Sequence, residues 1–264
     1  MTSTPSLTQP QLVELMGVLG GSDAVELKLT VPDSHHRSTA ESLDLDPIAA
    51  EIRQIVFFDT PDLALNRSGL VVRARRMRKG VGDTVVKLRP VVPGQIPGNL
   101  RESGKVAVEV DAMPGGFVCS ASMKGKSSAA AVRQVILGRD HPGSLFSKHQ
   151  KAFFELHAPE GLRMRDLAVL GPINVLKLKF APEDLGRKMV AEMWLYPDGS
   201  RILELSTKCE TGMAFQVAAE SRAFLAGHGI DLDGEQQTKT KTALEYFASA
   251  LRSEPESSGP APAP

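Results

Sequence analysis

Residues 70–76, LVVRARR, and residues 84–90, TVVKLRP, each read as a strand whose two faces differ in character. Successive side chains of an extended chain point to opposite faces. Arg73 and Arg75 therefore share one face of the first segment, Lys87 and Arg89 share one face of the second, and apolar residues hold the reverse. The habit recurs along the chain. In AVELKLTV (24–31), Val25, Leu27, Leu29 and Val31 lie on one face and Glu26 and Lys28 on the other. VAVEVDA (106–112) puts Glu109 beside Asp111, NVLKLKF (174–180) puts Lys177 beside Lys179, and ILELSTK (202–208) aligns Glu204, Ser206 and Lys208. The polar face of an ordinary half-buried strand looks to water, and its charges are scattered in sign and position. Any one of these strands reads as such a solvated face. Six with ordered charges point instead to a closed barrel with the charged faces turned inward and helices over the apolar faces. Periodicity alone leaves both facings open.

The period-2 reading gives about eight strands, at roughly 24–31, 53–59, 69–77, 84–90, 106–112, 173–180, 188–196 and 201–208. Helical spacing appears over Gln11–Leu19, Ser127–Leu137, Thr211–Ala226 and Thr238–Leu251. The expected fold is α+β, a mainly antiparallel eight-stranded β-barrel or tunnel with packed helices. Residues 11–252 are expected to form one domain, with 113–170 a helical insertion or cover, because Gly and Pro break the strand series there. Residues 1–10 and 253–264, rich in Ser, Thr and Pro, read as disordered tails.

Composition narrows the function classes. The 264 residues, 42% hydrophobic, are enough to bury a large core. Lys plus Arg equals Asp plus Glu at 31 each, so no bulk charge favours nucleic acid or an anionic membrane as partner, and phosphate binding has to come from local placement. Cys119 and Cys209 stand alone, without metal-ligand spacing or a disulfide framework. The opening MTSTPSLTQP lacks the features of a signal peptide and no apolar run is long enough to span a membrane, so a cytoplasmic protein is expected.

An interior holding Lys28, Arg73, Arg75, Lys87, Arg89, Lys177, Lys179 and Lys208 is intolerable when empty and dry, since unpaired buried charge is very costly. A polyanion satisfies it. The interspersed carboxylates Glu26, Glu109, Asp111, Glu192 and Glu204 suit a hard divalent cation, Mg²⁺ or Mn²⁺, bridging phosphate oxygens.

These segments resemble the CYTH superfamily, which contains class IV adenylate cyclases, thiamine triphosphatases and inorganic triphosphatases. Glu26-Leu27-Lys28 looks like the second half of the family's opening ExExK strand. FFDTPDLALNRSGLVVRARR (57–76) resembles its Phe-Asp-Thr-Pro segment and arginine-rich strand, and TVVKLRP its TLKL strand. VLKLKF and LELSTK are similar to its later basic and acidic strands. The likeness runs through most of residues 23–250 and is weakest over 113–170. It implies phosphate contacts from Lys28, Arg73, Arg75, Lys87, Lys177 and Lys179, with Lys208 less clearly matched. It implies metal contacts from Glu26, Glu192 and Glu204, with Glu109 and Asp111 nearby. Ala24 and Ser206 stand where the family pattern has glutamates, which removes negative charge from the implied metal region. The implied function is metal-dependent binding and hydrolysis of a small-molecule triphosphate: inorganic, thiamine or nucleoside. The alternatives are conversion of ATP to cyclic AMP and pyrophosphate, and binding without turnover.

Other leads are weak. Gly125-Lys126-Ser127 ends like a phosphate-binding loop, but Ser120 stands where the first glycine is required. His35 and His36 read as an exposed loop pair without a third metal ligand. Trp194 shares the face of Glu192 and either stacks on a base or packs at a barrel end. Cys209 beside Lys208 has no other sign of thiol chemistry.

Overall fold

The chain closes a ring of nine strands, one more than the sequence reading counted. The structure, a computed structural model, describes residues 7–102, 104–232, 236 and 238–253. The strands are β1 (Ala24–Val31), β2 (Glu51–Asp59), β3 (Leu70–Met77), β4 (Val81–Leu88), β5 (Val106–Met113), β6 (Gly116–Ser128), β7 (Ala168–Phe180), β8 (Met189–Leu195) and β9 (Arg201–Cys209). They close in the order β1-β5-β6-β4-β3-β2-β7-β8-β9. The β1–β5 pairing is parallel and every other is antiparallel, so the barrel is mainly antiparallel and α+β, as expected.

The added strand, β6, lies in the 113–170 segment expected to be a helical cover, and it is as integral to the ring as any other. Pro114-Gly115, read as a break, is a two-residue hairpin turn: Met113 pairs with Gly116 and Gly115 has φ +77°. Small residues hid the strand. Ser120, Ala121, Ser122 and Gly125 have little intrinsic strand preference, and their place is set by packing. Gly125 lies in β6, paired with Thr84, so the phosphate-loop lead is a strand. A side chain there would collide with buried Gln150, whose Oε1 is 2.3 Å from an added Cβ.

The helices are α1 (Gln9–Leu19), α2 (His36–Ser42), α3 (Ala64–Arg67), α4 (Gly98–Glu102), α5 (Ala129–Ile136), α6 (Lys148–His157), α7 (Ala214–Gly227) and α8 (Lys239–Ser253). Gln9 and Pro10, read as tail, form the first turn of α1, while residues 1–6 and 254–264 of the expected tails lie outside the described residues. Ser127 and Ser128, read as helix, end β6, and the Ser128 Oγ accepts from the Ala131 N–H to start α5. His36 is buried rather than exposed, with Nε2 3.0 Å from the Val31 carbonyl oxygen. Among the described residues no helix is long and apolar enough to cross a membrane.

Two apolar layers cover the outside of the barrel. Val25, Val56, Val72, Val86, Val110 and Met123 meet Leu15 and Leu19 of α1, Val132 of α5 and Phe154 of α6. Leu29, Val31, Leu203 and Leu205 meet Phe224 and Leu225 of α7. A third cluster forms inside. Ile55, Phe57, Val71, Val175, Trp194 and Ile202 pack against Ala243, Leu244, Phe247 and Ala248 of α8, which fills one end of the barrel. Trp194 is 1% exposed and stacks on Phe57 at 6.3 Å between ring centroids, which is the packing role rather than base stacking.

Asp59 organises the segment between β2 and β3. Its buried carboxylate accepts from the backbone N–H groups of Thr60 (2.7 Å), Leu65 (2.9 Å) and Asn66 (3.0 Å), so the turn into α3 is built around it. Gly69, with φ +76°, follows; a Cβ there would stand 2.6 Å from the Arg89 carbonyl oxygen, so glycine permits the close contact that sets Arg89 at the end of β4.

Leu244 is 2% exposed within the inner apolar cluster. Leu244→Ala is expected to cost about 2–4 kcal/mol in chemical denaturation, with the cavity left at the filled end of the barrel.

Candidate functional site

The charged faces are inside. A cavity of about 260 Å³ is lined by Lys28, Arg73, Arg75, Lys87, Arg89, Lys177 and Lys208 together with Glu26, Glu109, Asp111, Glu192 and Glu204. Lys179 is the exception among the residues read from the sequence: it pairs with Val190, lies outside the cavity and is exposed. The lining also includes Arg53, Lys124 and Lys239, none of which the sequence reading picked out. Lys239 left one trace in the sequence: TKTKT puts lysines in the first turn of a helix, where the positive end of the helix dipole disfavours them.

Ten basic and five acidic side chains thus line the cavity, although the whole chain is neutral. Most of the basic groups have carboxylate partners. Asp111 lies between two ammoniums, 3.0 Å from Lys28 Nζ and 3.1 Å from Lys87 Nζ. Lys28 also meets Glu26 at 3.3 Å. Glu109 takes Lys208 at 2.6 Å and Lys124 at 3.5 Å. Glu192 and Glu204, directly opposed across β8 and β9, share Lys239, which is 2.7 Å from Glu204 and in closer contact with Glu192; Lys177 meets Glu192 at 2.9 Å. Arg75 makes a two-pronged contact with Asp83, at 2.8 and 2.7 Å.

Arg73 differs. Its Nε is buried without a hydrogen-bond partner, and it forms no ion pair among the described residues. Burial first, and then the neighbouring Arg75, press its pKa down, although a guanidinium stays charged at any ordinary pH. Burial also pulls the Arg89 pKa down. The two lysines on Asp111 diverge. Burial lowers the pKa of both, but for Lys28 the carboxylates of Asp111, Glu26 and Glu204 outweigh it and the value rises. For Lys87, burial with the nearby Lys28, Arg73 and Arg89 prevails over Asp111 and the value falls. Burial opposes the charged form of Asp111 as well, yet Lys28 and Lys87 prevail and hold its carboxyl well below the usual range.

The two departures from the family pattern lie apart. Ala24 is in register with Glu109 across the parallel pair, whereas Ser206 is in register with Lys28 four residues further along β1, about 13 Å away. Among the described residues no three His, Cys, Asp or Glu side chains gather as a metal cage. The donor set that remains, Glu192 opposite Glu204, suits an Mg²⁺ or Mn²⁺ ion that keeps one or two carboxylates and takes its other ligands from phosphate oxygens and water.

No family model matches this sequence, and no curated protein matches it significantly. Solved structures do match. A candidate adenylyl cyclase from Hippeastrum, reported to have a dominant triphosphatase activity, superimposes with a TM-score of 0.62 over 84% of this chain and 95% of its own, at 16% identity. A candidate adenylate cyclase from Bacillus halodurans does so with a TM-score of 0.58 over 84% of this chain and 97% of its own, at 12% identity. At such identities the likeness establishes the fold.

The contrast between Asp111 and Arg73 is measurable without ligand. Asp111→Asn leaves Lys28 and Lys87 facing each other and is expected to cost about 3 kcal/mol at pH 7. Because the folded pKa of Asp111 is depressed, its contribution is complete above the unfolded value of about 3.9 and is withdrawn as the pH falls toward the lower folded value. The variant's melting temperature should therefore fall less steeply than the native one below about pH 4. Arg73→Ala, which removes a cation without a partner, should hold or raise the ligand-free melting temperature.

Proposed function

We propose that this chain, which has the triphosphate-tunnel fold of the CYTH superfamily, binds a triphosphate inside the barrel with Mg²⁺ or Mn²⁺ and hydrolyses it to release phosphate. The observation that carries this reading is Arg73: a half-buried arginine whose Nε is buried without a hydrogen-bond partner and which forms no ion pair among the described residues, in a cavity lined by twice as many basic as acidic side chains. A cation whose buried N–H has no partner in the protein suits an anionic ligand. The excess of positive groups calls for an anion of several charges.

Within this reading the chain's residues divide the work. Arg73 and Arg89 grip phosphate oxygens and oppose the charge that grows on them as the terminal bond opens. Lys28, whose ammonium is held firmly by three carboxylates, acts as a fixed positive charge. Lys87, whose pKa is lowered, is the lysine better placed to take a proton from the attacking water, with Asp111 orienting it at 3.1 Å. Glu192 and Glu204 hold the divalent ion, which when bound polarises the phosphate oxygens. Hydrolysis is favoured over cyclisation because the lining is built for a phosphate chain, and the dominant triphosphatase activity reported for the Hippeastrum neighbour supports that ranking.

The test is a panel of inorganic triphosphate, thiamine triphosphate and ATP with Mg²⁺ or Mn²⁺, assayed for phosphate, pyrophosphate and cyclic AMP. Phosphate is the expected product, and Arg73→Ala should lower kcat/KM by about a hundredfold. Cyclic AMP forming with equal pyrophosphate, faster than phosphate, would make the protein a cyclase. Tight binding of triphosphate without any product would make it a binding module.

A further inference from the structure

Lys239 stands at the boundary between two spaces. Its side chain is 12% exposed and lines both the inner cavity and a second one of about 420 Å³ at the tunnel mouth, bordered by Asn66, Arg89, Thr238 and Lys241. Its ammonium contacts Glu192 and Glu204 together and lies 5.2 Å from the centre of the Trp194 ring, whose Nε1 in turn donates to Glu192 at 3.3 Å. These are the two carboxylates that suit a divalent ion. An ammonium and a divalent cation cannot share them, since like charges a few ångströms apart in a partly buried site repel by several kcal/mol.

The helix itself disfavours a cation where Lys239 stands: as the first residue of α8 it sits at the positive end of the helix dipole. The carboxylates hold it there, not the helix. Once a divalent ion neutralises Glu192 and Glu204, the Trp194 ring is the remaining contact on the ammonium, too weak to hold it beside a divalent charge, and the mouth cavity beside it is large enough to receive the side chain.

We propose that Lys239 is a tethered cation occupying the ion position of the resting protein, so that Mg²⁺ or Mn²⁺ reaches Glu192 and Glu204 only by displacing it into the tunnel mouth. The exchange makes Lys239 a selector of the ion-loaded state and frees its ammonium, alongside Arg89, to meet the incoming phosphate chain. It rests on the reading of Glu192 and Glu204 as ligands of the ion.

Trp194 is the sequence's one tryptophan, so its emission reports on this site in the full chain. The experiment titrates Mn²⁺ without triphosphate, following free Mn²⁺ by electron paramagnetic resonance and Trp194 by fluorescence. In the native protein the emission should change with the same midpoint as Mn²⁺ uptake, because the ammonium leaves the ring as the ion arrives. Lys239→Gln should bind Mn²⁺ about tenfold tighter, while Lys241→Gln on the same helix should not. Native uptake without any change in Trp194 emission overturns the proposal whether or not the variant folds, and so does a folded Lys239→Gln that binds Mn²⁺ no tighter. Glu192→Gln separates the two readings. If it abolishes uptake while Lys239→Gln changes nothing, the carboxylates are the ion's ligands and only the tethered cation fails. If uptake is indifferent to Glu192→Gln, the ion lies elsewhere and the site reading fails with it.

Discussion

The closure of the β-sheet into a barrel around its own charged faces is the constraint on which the rest of this structure depends. Closing the ring satisfies the backbone of every strand without leaving an edge. It also traps ten basic side chains in a space of about 260 Å³. Such a lining survives only if the charges are paired, wetted or taken up by a ligand, because transfer of an unpaired charge out of water costs more than most single contacts return. The interior is therefore organised as a set of ion pairs, most of them between strands, with Asp111, Glu192 and Glu109 each serving two cations. Those pairs do not use every cation of the lining. Arg73 is the clearest remainder.

The helices answer the same constraint from the other side. With the charged faces inward, the apolar faces look outward and have to be roofed, which α1, α5, α6 and α7 do. The barrel interior is apolar only at one end, and there α8 is drawn in by Phe57, Trp194 and Ile202 rather than lying on the outside. That placement brings the first turn of α8 to the acidic pair on β8 and β9. A hydrophobic contact at the filled end and an ionic contact at the helix start thus belong to one element, so that changes of charge at the tunnel centre are felt by the packing of α8.

The tunnel is charged, with bases outnumbering acids in its lining. Ala24 and Ser206, where the resembled family pattern has glutamates, lie on different levels of β1 and β9, and Lys239 covers the opposed carboxylates Glu192 and Glu204.

The sequence by itself determined the two-faced strands, the identity of twelve of the fifteen charged residues that line the cavity, and the helical spacing of α1, α5, α7 and α8, though not of α6. These are local properties: strand alternation and helical spacing are written in residues a few positions apart. Only the tertiary structure decided which face is inside, because that depends on ring closure between segments as distant as β1 and β9. It alone placed β6, whose small residues carry no strong strand preference and are held by their neighbours. It alone decided which acid meets which base, since pairs such as Lys208 with Glu109 join residues 99 positions apart. The same holds for Lys239, whose one trace in the sequence does not say what it meets until α8 is placed in the barrel, and for Lys179, which shares the alternation of Lys177 but lies beyond the cavity, in water. Alternation assigns a side chain to a face; its depth along the tunnel is set by the tilt and register of strands that the local sequence does not contain.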